Sequence, residues 1–241
     1  TRPLQIADCP NNPPGTPMRF KFLALFSVFV PLLSVTSPAE VFIGSEHPGG
    51  NIVVVGTNDT AIQFKQDLAG VKGWWFYWNV MIQGAADKAL TFEFTDGNVI
   101  GTRGPAYSLD FGESWSWLGI DQVDTSGDHI QFTYAFPAQA NTAIFAFAPA
   151  YVESDFKRFV KRIGTNPHLR VEELCRSEED RPVERIRIGQ LSKTPEHRVF
   201  LTARHHACES MASYVLEGIF AALLADSEDG TWFRENVEVL A

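Results

Sequence analysis

His206 and Glu209 stand three residues apart in the stretch Val199-Phe-Leu-Thr-Ala-Arg-His-His-Ala-Cys-Glu-Ser210. A neutral imidazole nitrogen and a carboxylate oxygen at that spacing can point at one ion if the backbone turns tightly between them. A catalytic zinc takes such N and O donors, three from protein, and keeps a water in the fourth position. The spacing alone carries little weight: six histidines and 16 glutamates in 241 residues give roughly 0.4 such pairs by chance. Position adds weight. The pair follows Arg198–Ala203, which reads as an apolar strand, and precedes Ser210–Ala225, which reads as a helix. In α/β sheets, ligands gather beyond the carboxyl ends of strands. A helix N-terminus also favours a carboxylate beside it. The plainer reading of Glu209 is a first-turn acid that only complements the helix dipole. The residues by themselves leave both readings open.

The elements that must position this pair change character along the chain. Residues 51–55, 61–65, 74–82, 90–94, 129–136 and 142–148 are short, apolar or alternating, and rich in β-branched and aromatic side chains. Gly, Asn, Asp and Pro separate them. Six such runs without an intervening helix predict an all-β antiparallel sandwich over residues 40–150. From Tyr151 onward strands alternate with helices. Ser154 is placed to cap a helix carrying Phe156, Phe159, Val160 and Ile163, which Gly164 closes. Residues 169–175 and 184–188 read as strands around a turn at 178–182. In the helix from Ser210, the apolar side is expected to hold Met211, Tyr214, Val215, Gly218, Ile219, Ala222 and Leu223. Residues 232–235 read as a turn and 237–241 as a further strand. Residues 151–241 thus read as the truncated start of an α/β domain. Such a start is expected to leave Val199–Leu201 and the Ser210–Ala225 helix with exposed apolar surface and poor solubility.

The net charge of −9 argues against a general affinity for nucleic acid. Residues 1–17 are rich in Pro and Asn and read as upstream sequence outside the protein proper. Residues 18–39 read as a signal peptide: Arg19 and Lys21, then the apolar run Phe22–Leu33, then small residues to Ala39. About a dozen apolar residues interrupted by Pro31 are too few to span a bilayer, so no stable membrane insertion is expected after cleavage. The expected location is secreted or periplasmic. There Cys175 and Cys208 either pair or remain free thiols.

The segment Thr202-Ala-Arg-His-His-Ala-Cys-Glu-Ser210, followed by a helix containing Leu216-Glu-Gly-Ile-Phe220, resembles the zinc-binding segment of M14-family metallocarboxypeptidases. It is most similar to the cytosolic-carboxypeptidase subfamily and its bacterial relatives, where the segment reads Ala-Arg-x-His-Pro-Gly-Glu and then Ser or Thr. The resemblance extends upstream, to roughly residue 50. Gly73-Trp-Trp-Phe-Tyr-Trp78 is similar to an aromatic strand of that subfamily's N-terminal sandwich. Tyr107-Ser-Leu-Asp110 with Trp115 resembles a turn in the same domain. Phe145–Tyr151 with Ser154-Asp155 resembles the join to the catalytic domain. Leu174-Cys175-Arg176 with Val183–Ile188 resembles the first hairpin beyond it.

The resemblance implies a Zn2+ cofactor held by His206 and Glu209, with the C-terminus of a peptide or protein as substrate. It implies that His205 is a non-ligand, and leaves Arg204 to pair with a carboxylate or cap the strand end. Ala207 and Cys208 replace the family's Pro-Gly. The Arg that pancreatic-type relatives carry at the position of Cys208 is missing. The family's third ligand, a His, lies well downstream, as do its Asn-Arg clamp for the substrate carboxylate and its general-base Glu. None of the 32 residues after Glu209 is a His. The expectation is therefore a fragment with two of three zinc ligands, no catalytic residue of its own and no activity alone. Two rival readings stand beside it. One is a secreted non-catalytic module that grips sugar or protein through Trp74, Trp75, Tyr77, Trp78, Trp115 and Trp117. The other is an inactive peptidase homologue.

Overall fold

The computed structural model describes residues 40–58, 61–68, 75–97 and 99–241. The chain divides into Thr1–Ser37 and Pro38–Ala241, and every described residue belongs to the second unit. The segments 1–17 and 18–39, as well as Trp74, lie outside the described residues.

Among the described residues, ten strands precede the first α-helix: β1 (Phe42–Gly44), β2 (Val53–Thr57), β3 (Ala61–Lys65), β4 (Asn79–Gln83), β5 (Ala89–Phe94), β6 (Ala106–Ser108), β7 (Ser116–Trp117), β8 (Val123–Asp124), β9 (Ile130–Ala135) and β10 (Thr142–Ala146), with a single 3-10 turn at Ile120–Gln122 before β8. They form two five-stranded sheets, ordered β1-β4-β10-β6-β7 and β2-β3-β5-β9-β8. Alternation explains the shared core. In β5, Leu90, Phe92 and Phe94 are buried while Thr91 and Glu93 lie on the other face. In β9, Ile130, Phe132 and Tyr134 do the same. Phe92 of one sheet stands 5.0 Å from Phe145 of the other, and stacks at 4.8 Å on Phe132. Trp78 is fully buried and its indole N–H donates to the Val99 carbonyl at 2.7 Å. That bond removes the cost of hiding the indole nitrogen. Trp117, by contrast, is 37% exposed.

The remaining elements are α1 (Glu153–Ile163), β11 (Leu169–Arg176), β12 (Pro182–Gly189), β13 (His197–Phe200), α2 (Met211–Leu224), α3 (Glu228–Asn236) and β14 (Val237–Leu240). Their sheet is ordered β11-β12-β14-β13. β11 and β12 form a hairpin, and β14 runs antiparallel to β12. β13 and β14 run parallel, as the crossover through α2 and α3 allows. Phe159 of α1, Ile186 and Ile188 of β12, Phe220 and Leu223 of α2, and Val237 and Val239 of β14 fill a second core.

Four expectations are corrected. Residues 232–235 lie inside α3 rather than in a turn; Ser227 caps that helix by accepting from the Gly230 amide at 3.1 Å. Ser154 does not cap α1. The helix starts at Glu153, two residues earlier than a Ser154 cap would place it, and the Asp155 carboxylate reaches back to accept from the Val152 amide at 2.7 Å. In α2 the inward face is Leu216, Ile219, Phe220 and Leu223, while Met211 and Val215 are exposed. Finally, the strand-rich part is not wholly antiparallel, because β3 and β5 pair in parallel.

Candidate metal centre

The loop that leaves the carboxyl end of β13 runs over residues 201–210 and enters α2. β13 is held in place by β14: Val199 pairs with Val239 and Phe200 with Leu240. The loop closes on itself where the Glu209 amide donates to the His206 carbonyl at 3.1 Å. That turn brings the two side chains together. His206 Nδ1 lies 3.0 Å from Glu209 Oε1, and the His206 amide donates to Glu209 Oε2 at 3.3 Å. The Glu209 carboxyl is held below the usual carboxylate range, first by its hydrogen bond with the His206 ring and then by the His206 amide. It is anionic at neutral pH, the form in which a carboxylate ligates a metal.

The pair fits a divalent zinc. Bonds of about 2.1 Å in tetrahedral geometry set neighbouring donor atoms roughly 3.4 Å apart. The 3.0 Å contact is a hydrogen bond in which the ring nitrogen donates, so an ion would take the place of that proton, and the imidazole side chain is 78% exposed. Among the described residues no group of three or more His, Cys, Asp or Glu could hold a metal.

The neighbouring side chains are engaged elsewhere. His205 Nε2 lies 2.6 Å from the Thr202 hydroxyl. Among the described residues Arg204 meets no carboxylate; its guanidinium donates to the backbone carbonyls of Tyr151 at 2.8 Å and Ala207 at 2.7 Å. Cys208 is half-buried, and both it and Cys175 are free thiols. Cys208 lines a cavity of about 210 Å³ with Gly49, Trp75, Tyr77 and Arg204. Trp75 Nε1 is buried there without a hydrogen-bond partner among the described residues. Farther along α2, Glu217 accepts from the Tyr151 hydroxyl at 2.9 Å and from Arg162 at 2.8 Å. Burial and the Glu217 carboxylate together push the Tyr151 hydroxyl well above its ordinary range, so it stays protonated and donating. Nothing in the sequence around Glu217 or Tyr151 announced that contact across 66 residues.

No protein-family profile matches the chain. Cytosolic carboxypeptidase 2 of Mus musculus is 28% identical over 225 residues, covering 79% of this chain and 26% of that protein. Its Homo sapiens counterpart is 29% identical over 115 residues, covering 44% of this chain and 13% of that protein. A metallo-carboxypeptidase structure from Burkholderia cenocepacia superposes with a TM-score of 0.67 at 21% identity, over 83% of this chain and 55% of that one. One from Pseudomonas aeruginosa, in complex with (2-guanidinoethylmercapto)succinic acid, gives 0.68 at 19%, over 83% and 54%.

The chain is similar to M14-type carboxypeptidases in sequence and shares their fold. It spans about a quarter of the mouse relative and about half of each solved neighbour. The sheet-rich architecture with few helices is the one these carboxypeptidase neighbours share.

The same relatives correct one expectation. They are named cytosolic carboxypeptidases, which overturns the secreted or periplasmic location read from residues 18–39. That reading rested on two basic residues followed by about a dozen apolar ones, and a run of this length serves equally as a buried core segment. Among the described residues, no helix is long and apolar enough to cross a membrane.

Proposed function

We propose that this M14-type carboxypeptidase-like chain carries two of the three protein ligands of a catalytic zinc, in a peptidase that releases the C-terminal residue of a peptide or protein. The observation that carries this reading is the 3.0 Å approach of His206 Nδ1 to Glu209 Oε1, on the loop beyond the carboxyl end of β13. The domain reading belongs to the same proposal: a β-sandwich over residues 40–150 leads into the first part of an α/β carboxypeptidase domain over 151–241. Two five-stranded sheets around one core support the first half, and the β13–α2–α3–β14 crossover supports the second.

Zinc bound at this site would supply Lewis acidity to a water and to the scissile carbonyl. The chain's own contribution is to hold and orient. His206 offers a ring nitrogen, and Glu209 offers an oxygen that the turn keeps ionised. The third ligand, the general base and the group that recognises the substrate carboxylate are proposed to lie in sequence beyond Ala241. The 241 residues alone are then inactive.

Metal analysis tests the assignment. After dialysis against Zn2+, His206→Ala is expected to lose the bound zinc, with affinity at least about tenfold weaker than in the unaltered chain. Stoichiometry and affinity unchanged by that substitution would remove His206 from the site.

A further inference from the structure

Three side chains that bracket the metal pair all end on one short stretch of backbone. Arg204, two residues before His206, donates to the Tyr151 carbonyl at 2.8 Å. Tyr214, in the first turn of α2, donates to the Ala150 carbonyl at 2.7 Å. Ser210, next to Glu209, donates to the Pro149 carbonyl at 3.3 Å. Three consecutive carbonyls thus each accept from the segment 204–214. The stretch 149–151 is the join between β10 and α1, and it is well fixed: Ala150 and Tyr151 are buried, as is Ser210. The turn has little other support, since residues 204–207 are exposed.

Arg204 does more than reach across. Its backbone sits at φ 60°, in the left-handed region that a non-glycine residue rarely takes. Its second bond, to the Ala207 carbonyl at 2.7 Å, spans the turn from its start to the residue just past His206. One guanidinium therefore ties the turn both to itself and to the join. Arginine's planar fork holds two N–H donors in fixed directions toward the two carbonyls, whereas a lysine ammonium is a point charge on a flexible stem.

We infer that the backbone of Pro149–Tyr151 is a cradle for the metal-binding turn, and that Arg204 is its principal positioning residue, with Tyr214 and Ser210 in support. The inference rests on the proposed zinc role of His206 and Glu209. Arg204 acts through those ligands and touches no metal itself. The sheet-rich half of the protein in this way sets the geometry of a metal pair to which it contributes no ligand.

The experiment uses the 241-residue chain with Zn2+ alone in calorimetric titration and Co2+ alone in visible absorption. Each variant is measured well below its own unfolding midpoint, so a loss of stability by itself leaves both readouts unmoved. Arg204→Ala is expected to weaken zinc binding about tenfold or more, the usual cost of losing an outer-shell partner, and to alter the Co2+ bands. Arg204→Lys should fail to restore either, and Tyr214→Phe should have a smaller effect in the same direction. If His206→Ala loses the metal while Arg204→Ala keeps full affinity and an unchanged Co2+ spectrum, the cradle is wrong and the ligand assignment survives. If His206→Ala binds as well as the unaltered chain, or that chain binds no metal, both ideas fall. Should Arg204→Ala not fold, Arg204→Lys decides: affinity equal to that of the unaltered chain overturns the inference.

Discussion

In the proposed ligand role, Glu209 would matter for metal binding and little for stability. Its side chain is 41% exposed, and its partners, the ring and amide of His206, lie in the same turn. Exposed contacts of this kind add little to folding. Glu209→Gln is therefore expected to leave the thermal midpoint in chelator within about 2 °C. It should nonetheless weaken zinc binding about tenfold or more, because the amide carries no charge to donate. Calorimetric titration with Zn2+ beside a thermal melt in chelator checks both halves, and unchanged affinity would count against Glu209 as a ligand. The contact between His206 and Glu209 was legible from the sequence because side chains three residues apart meet in a local turn. The role of Arg204 was not. Its partners are backbone carbonyls, one of them 53 residues away, and a carbonyl leaves no residue-type signature. Ser210 and Tyr214 were hidden for the same reason.

At the scale of elements, β14 carries a buried carboxylate that depends on its neighbours. Glu238 accepts from Arg187 on β12 at 2.8 and 2.5 Å and from Arg198 on β13 at 3.0 Å, so it ties three strands together. Burial alone would push its carboxyl up, but the two guanidiniums outweigh that and hold it below the usual range. A carboxyl depressed in the folded state contributes stability above its unfolded value, and that contribution is lost as pH falls through the folded one. Glu238→Gln is expected to destabilise the protein at pH 7 by about 1–2 kcal/mol. The estimate sits at the low end because the Arg198 side chain is 62% exposed. Urea titrations at several pH values should show the gap to the unaltered chain narrowing once pH drops below about 4.5, the ordinary value. A gap independent of pH would mean that the shape of the side chain matters and its charge does not. Sequence reading succeeded on elements with a strong period, such as β5, β9 and α1. It failed on α3, whose Gly230 and Asn236 resemble turn residues until the Ser227 cap is seen. It misplaced the face of α2 because that helix is apolar nearly all round, and only packing against β12 and β14 selects Leu216 over Val215.

For the molecule as a whole, the two apolar cores were foreseeable from composition and pattern, while the way one half steadies the other was not. The join at Pro149–Tyr151 works through backbone acceptors and through Glu217, which α2 brings to Tyr151 and Arg162. What the pattern did foresee is apolar surface on β13 and α2. Phe200 is 74% exposed, Val215 63% and Val199 37%. Among the described residues β13 pairs only with β14, so its other edge offers free backbone donors and acceptors. Two forces then compete between molecules. A net charge of −9 drives them apart, and exposed apolar side chains beside an open strand edge draw them together. Salt decides the balance, because the screening length shrinks from roughly 30 Å at 0.01 M to about 8 Å at 0.15 M while apolar attraction is untouched. The chain is expected to sediment as a monomer at low ionic strength and to associate as salt is raised. Phe200→Lys combined with Val215→Lys should restore the monomer at every salt concentration. Sedimentation equilibrium across a salt series reads both outcomes directly. An unaltered chain that stays monomeric in high salt would show that these side chains are too dispersed to act as a surface.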